Sequence, residues 1–163
     1  MKYTIMETLE IKLGIYQDYK LDVTKKLNML LADFQIHYMN LRGLHWNIKG
    51  RKFFLLHEKF EELYNNTNDV VDEIAERILT LGLTPLHTFE DYLENKSINT
   101  IKNISDGDDA VRFILNDLNE LLSQEREILE LASDNNDEGT VSLMGDLISD
   151  QEKLVWMLNA YLS

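Results

Sequence analysis

A single proline, Pro85, and only seven glycines punctuate 163 residues. Proline removes a helical hydrogen bond, and glycine is the entropic weak point of a helix. A chain this short of both can run in long helices and is poorly supplied for the many turns of a sheet. The apolar residues agree. Leu27, Leu30, Leu31, Phe34, Tyr38, Leu41 and Leu44 recur at helical spacing and predict a first helix from about Asp22 to Asn47. Gly50 ends it in a short turn beside Lys49, Arg51 and Lys52. A second helix follows from about Phe53 to Leu81, its stripe formed by Leu56, Phe60, Leu63, Val71, Ile74 and Ile78, with Gly82 as the stop and Pro85 beyond it.

The stretch from Leu83 to Ser105 lacks such a pattern, although Thr88 is placed to cap a short helix through Asp91, Tyr92 and Leu93. Two more long helices are expected, about Asp108 to Ser133 and Glu138 to Leu162, separated by the loop Asp134-Asn135-Asn136-Asp137. Short hinges make antiparallel neighbours, and the long second connection makes a crossover. The reading is all-α: a four-helix bundle of ferritin-like connectivity, with a short helix in the crossover between the second and third helices. Residues 1–20 are weakly patterned and read as an arm or short helix, leaving 21–163 as the bundle domain.

The formal charge of −13 favours cations over phosphate backbones as partners. Without cysteine there is no disulfide or thiolate chemistry. The first 20 residues contain no continuous apolar run, so neither a signal peptide nor a membrane span is expected, and a cytoplasmic location is.

Four residues carry the chemistry: His45 at the end of the first helix, and His57, Asp72 and Glu76 on the second. With His57 as the origin, Glu61 falls near 40°, Asp72 near 60° and Glu76 near 100° around the helix, one stripe beside the apolar face. Carboxylates at the edge of an apolar face need a counter-charge, which a metal ion supplies. Fifteen residues separate His57 from Asp72, a span of about 22 Å on one helix. No single ion bridges that distance. Two copies of the helix paired antiparallel about a two-fold axis would bring His57 of one chain to the carboxylates of the other, twice over. Mixed imidazole and carboxylate donors suit iron, zinc or manganese, and the ligand chemistry by itself does not choose among them.

The segments His45-Trp46-Asn47, Phe53 through Phe60 and Asp72-Glu73-Ile74-Ala75-Glu76-Arg77 resemble the signature of the Dps family of mini-ferritins, in the spacing His-x11-His-x14-Asp-x3-Glu. The resemblance extends to Pro85-Leu86-His87 and Trp156-Met157-Leu158 and covers nearly all of residues 22–162. It implies a ferroxidase centre between subunits, with His45 and His57 from one chain and Asp72 and Glu76 from its mate. Glu61 matches an acidic position that assists the second iron in some members. It also implies a hollow dodecamer that oxidises ferrous iron, commonly with hydrogen peroxide, stores the ferric mineral and limits oxidative stress.

The same residues have plainer uses. Trp46 suits packing at a subunit seam, with an oxidisable donor as the role the family implies. His37 and His87 read as structural, and the methionines as core filler. The acidic run Asp134, Asp137, Glu138, Asp146 and Asp150 suits a capped helix start. By resemblance, Glu138 and Asp146 are the candidates to line an iron-entry pore. The rival function is a DNA-compacting architectural protein with minor ferroxidase activity. Only Lys2, Lys12 and Lys20 stand in the first twenty residues and no basic tail precedes Ser163, so DNA binding is expected to be weak or absent. A classical intra-bundle di-iron site is disfavoured, because no histidine has Glu three positions before it.

Overall fold

The computed structural model describes residues 13–163. Its elements are α1 (Gln17–Asn47), α2 (Phe53–Thr80), α3 (Phe89–Asn95), α4 (Gly107–Asp134) and α5 (Glu138–Leu162). α1 packs along α2 and α4, α4 packs along α5, and α3 lies on α1. The architecture is the expected all-α, ferritin-like bundle with a short crossover helix. Most boundaries lie within one residue of those expected. The exception is α1, which begins five residues before Asp22. Tyr19 explains the difference: its side chain is buried and its hydroxyl donates to Asp137 Oδ2 at 2.7 Å. A tertiary bond thus extends a helix whose local pattern is weak. Of the expected N-terminal arm, residues 1–12 lie outside the described residues, and 17–20 form the first turn of α1.

The helix ends follow local chemistry. Gly82 takes φ +85° just after α2, which a side chain would resist, and its N–H bonds to Leu79 O. Thr88 caps α3 by accepting from Asp91 N, and Asp106 caps α4 by accepting from the amides of Asp108 and Asp109. Asp137 caps α5 by accepting from Thr140 N.

The apolar core divides in two. One cluster runs from Tyr19 through Phe34 on α1, with Ile74 and Ile78 of α2 and Ile128 and Met144 opposite. The other holds Leu41, Leu44, Leu56, Phe60, Ile114 and Leu158. Between Phe34 and Leu41 lies a polar layer. His37 Nδ1 meets Asp117 Oδ2 at 2.9 Å, and Asn40 Nδ2 donates to the same oxygen. The crossover is pinned along α1 by buried acceptors. Asp33 takes the amides of Ser97 (2.7 Å) and Ile98 (3.0 Å) together with Ser97 Oγ and Gln124 Nε2, and Asn40 Oδ1 takes Ile101 N. An irregular segment leaves backbone groups unpaired, and α1 satisfies them here.

Candidate metal centre

The end of α1 and the start of α2 place His45 and His57 face to face. The hinge between them is short, and Gly50, at φ +101°, lets it reverse. The imidazole rings stack with centroids 3.7 Å apart and 19° between their planes. Each ring is held by the other residue's backbone: His45 Nδ1 donates to His57 O at 2.7 Å, and His57 Nδ1 donates to His45 O at 2.9 Å. A carbonyl only accepts, so both Nδ1 atoms carry the proton. A neutral ring that carries its proton on Nδ1 keeps the lone pair on Nε2, the form that binds a metal ion. Phe53 stacks on the outer face of His57 at 4.9 Å, and Tyr64 sets its edge against His45 at 5.4 Å. His45 is buried and His57 half-buried, so the rings have little freedom to turn.

The carboxylates stand elsewhere on the chain. Glu61 lies one turn beyond His57, exposed, while Asp72 and Glu76 are exposed toward the far end of α2. Among the described residues no cluster of three or more His, Cys, Asp or Glu is placed to hold a metal ion. One chain therefore brings two of the predicted ligands together and keeps the other pair apart. Donors split in this way serve a single ion only if a second chain completes the set.

The remaining predicted residues also have definite places. Glu138 is the exposed first residue of α5, and Asp146 lines an acidic trough with Asn66, Asp69, Glu73 and Asp150 between α2 and α5. Asp137, in the same acidic run, is buried as the cap of α5. His37 is paired inside the bundle, and His87 Nδ1 donates to Pro85 O on the surface. Trp46 is 56 % exposed in the single chain, with the Arg42 guanidinium 4.8 Å above its ring.

Sequence reasoning passed over two buried groups. Arg77 of α2 donates through Nε to Thr140 Oγ1 at 2.9 Å and through Nη2 to Asp137 Oδ1. Burial works to raise the Asp137 carboxyl, but hydrogen bonds from Thr140 and Tyr19 and the Arg77 charge outweigh it and hold the group below its ordinary value. Glu125 is fully buried beside Gln151, and burial pushes its carboxyl up to about 8. Its position within the apolar stripe Leu118, Leu121, Ile128, Ala132 was the available signal.

With that geometry in view, the comparisons are consistent. The model of the ferritin-like domain family, Ferritin, matches residues 24–163. The DNA protection during starvation protein of Porphyromonas gingivalis is 42% identical over 148 residues, covering 91% of this chain and 93% of that one. DNA protection during starvation protein 2 of Bacillus anthracis is 38% identical over 141 residues, covering 86% of this chain and 97% of the relative. The crystal structure of a Dps protein from Vibrio cholerae O1, described as a member of a broad superfamily of ferritin-like diiron-carboxylate proteins, superposes with a TM-score of 0.91 at 44% identity, covering 99% of this chain and 100% of that one. The chain belongs to the ferritin-like family and, within it, to the Dps proteins.

Proposed function

We propose that the protein is a ferroxidase that stores iron. Ferrous ions bind between paired subunits, are oxidised with hydrogen peroxide, and are kept as ferric mineral inside a hollow dodecamer, which protects a bacterial cytoplasm from peroxide. The observation that carries the reading is the reciprocal histidine lock: two stacked imidazoles, each held through Nδ1 by the other's backbone carbonyl, with the matching carboxylates Asp72 and Glu76 about 22 and 28 Å beyond His57 on its helix. Trp46, next to His45 in the chain, and Phe54, three residues before His57, are exposed apolar side chains that suit burial against a second copy.

In this arrangement each residue has a role. His45 and His57 present neutral imidazoles to the ferrous ion. The mate's Asp72 and Glu76 neutralise its charge and favour the ferric state, because hard oxygen donors gain most as the charge rises. Glu61, a turn from His57, assists a second ion. Two ferrous ions give up one electron each, and one peroxide accepts both as its O–O bond breaks. Hydrolysis of the ferric product releases protons. The exposed carboxylates Glu138 and Asp146 serve the entry of cations. Among the described residues no helix is long and apolar enough to cross a membrane.

Oligomer mass and iron oxidation together test the reading. Twelve subunits of 19.1 kDa correspond to about 230 kDa by light scattering. Ferrous oxidation should fall at least tenfold in His57→Ala at unchanged oligomer mass. A stable monomer, or a His57→Ala variant that oxidises iron at the parent's initial rate, would refute it. A gel shift at physiological salt separates the DNA-compacting alternative, which requires tight retardation by iron-free protein.

A further inference from the structure

α2 is tied firmly to α1 but stands off from α5. Between α2 and α5 runs a cleft of about 320 Å³, with Asn66 and Thr67 on one wall and Asp150 and Gln151 on the other. Toward the Glu76 end, Arg77 spans the two helices. Its side chain is 15 % exposed, and its guanidinium reaches Asp137, whose side chain is 1 % exposed, and Thr140 in the first turn of α5. Tyr19 of α1 holds the second oxygen of Asp137. Three helices therefore meet in one buried knot of four side chains. The knot is tight enough that a Cβ at Gly139 would come within 2.6 Å of Arg77 Nη1.

The placement of this knot matters for the neighbours of Arg77. Around α2, Arg77 lies about 100° from Glu76 and about 140° from Asp72, so the strut grips the helix from the side away from both carboxylates. A grip on that side fixes the rotation of α2. Turning the helix by about 10° would carry side-chain atoms some 5–6 Å from its axis through about 1 Å. Metal–ligand bonds tolerate about 0.2 Å.

We propose that Arg77 is a positioning residue for the metal carboxylates Asp72 and Glu76: clamped to Asp137 and Thr140, it sets the separation and rotation of the C-terminal half of α2 against α5. The inference rests on the inter-subunit centre proposed above. Arg77 itself touches no metal. Lysine reaches one partner only and lacks the planar fork that holds both oxygens, so it replaces the strut in part.

Cobalt(II) titration of the assembled, iron-free protein tests this, read by its visible d–d absorption, which reports donor set and geometry without turnover. The parent should show a cobalt band that His57→Ala abolishes. Arg77→Met, at unchanged oligomer mass, should bind cobalt about tenfold more weakly with an altered band, and Arg77→Lys should lie between. Thr140→Val removes the hydroxyl that accepts from Arg77 Nε and donates to Asp137 Oδ2 but leaves the Arg77–Asp137 pair, so it should shift the affinity the same way by less, which provides the test if Arg77→Met does not fold. A purely structural strut would lower the melting temperature and leave the cobalt spectrum alone. Parent-like cobalt affinity and band in Arg77→Met, or in Thr140→Val where Arg77→Met is lost to misfolding, would overturn the positioning role while leaving the centre intact. A cobalt band that survives His57→Ala would overturn the centre, and this inference with it.

Discussion

Replacing Glu125 by glutamine should make the subunit more stable at alkaline pH and leave it unchanged in acid. Glu125 lies on α4, fully buried, and accepts from Gln151 Nε2 on α5. Its second oxygen, and the Gln151 carbonyl oxygen opposite, have no hydrogen-bond partner. Two buried acceptors on bonded neighbours are thus left without a donor, and a neutral carboxyl supplies a proton. Burial raises the group from 4.5 to about 8, while the Gln151 bond and the Arg126 charge pull in the other direction. The folded chain thus holds this proton more tightly than the unfolded chain. Its contribution is fully present below about pH 4.5, falls by about 1.4 kcal/mol per unit between pH 4.5 and 8, and levels off above. From pH 5 to pH 8 the parent should lose about 3.5 kcal/mol per subunit through this group, about 10 °C in melting temperature for a domain of this size. Glutamine does not titrate, and its amide can donate to Gln151. Thermal or urea unfolding at pH 5, 6, 7 and 8, at one fixed protein concentration because assembly adds its own mass action, should show the two curves diverging. Parallel pH profiles for parent and Glu125→Gln would refute the argument.

Asp33→Ala strands the amides of Ser97 and Ile98 and should cost about 2–4 kcal/mol in urea unfolding, with faster hydrogen exchange at those two amides. Asp137→Asn breaks a buried pair with Arg77 and should cost about 3 kcal/mol at neutral pH. Because the Asp137 carboxyl is held below its ordinary value, its contribution is present above about pH 4 and is lost as pH falls through the folded value, so the variant's deficit should shrink in acid. Lys52→Ala removes an exposed cation that lies 3.9 Å from the Tyr161 ring, and the melting temperature should change little.

Much of the architecture was legible in the chain because helices announce themselves locally. The Leu27-to-Leu44 stripe, the stop at Gly82 and Thr88 three residues before Asp91 involve side chains within a turn or two of each other, and the corresponding boundaries lie close to those expected. The spacing of His57 and Asp72 was legible for the same reason, since a helix converts residue count directly into distance. The start of α1 was not, because the bond that secures Tyr19 is to Asp137, 118 residues away.

The long helices, the crossover and the fifteen-residue gap between His57 and Asp72 were determined by the order of residues alone. Tertiary structure decided the rest: that His45 and His57 lock each other's tautomers, that Asp137 faces Arg77 and not solvent, and that Glu125 shares a seam with Gln151. Periodicity reports which face of a helix turns inward. Which charged side chain waits on the neighbouring helix, and how dry the space between them is, depends on how the helices are set side by side.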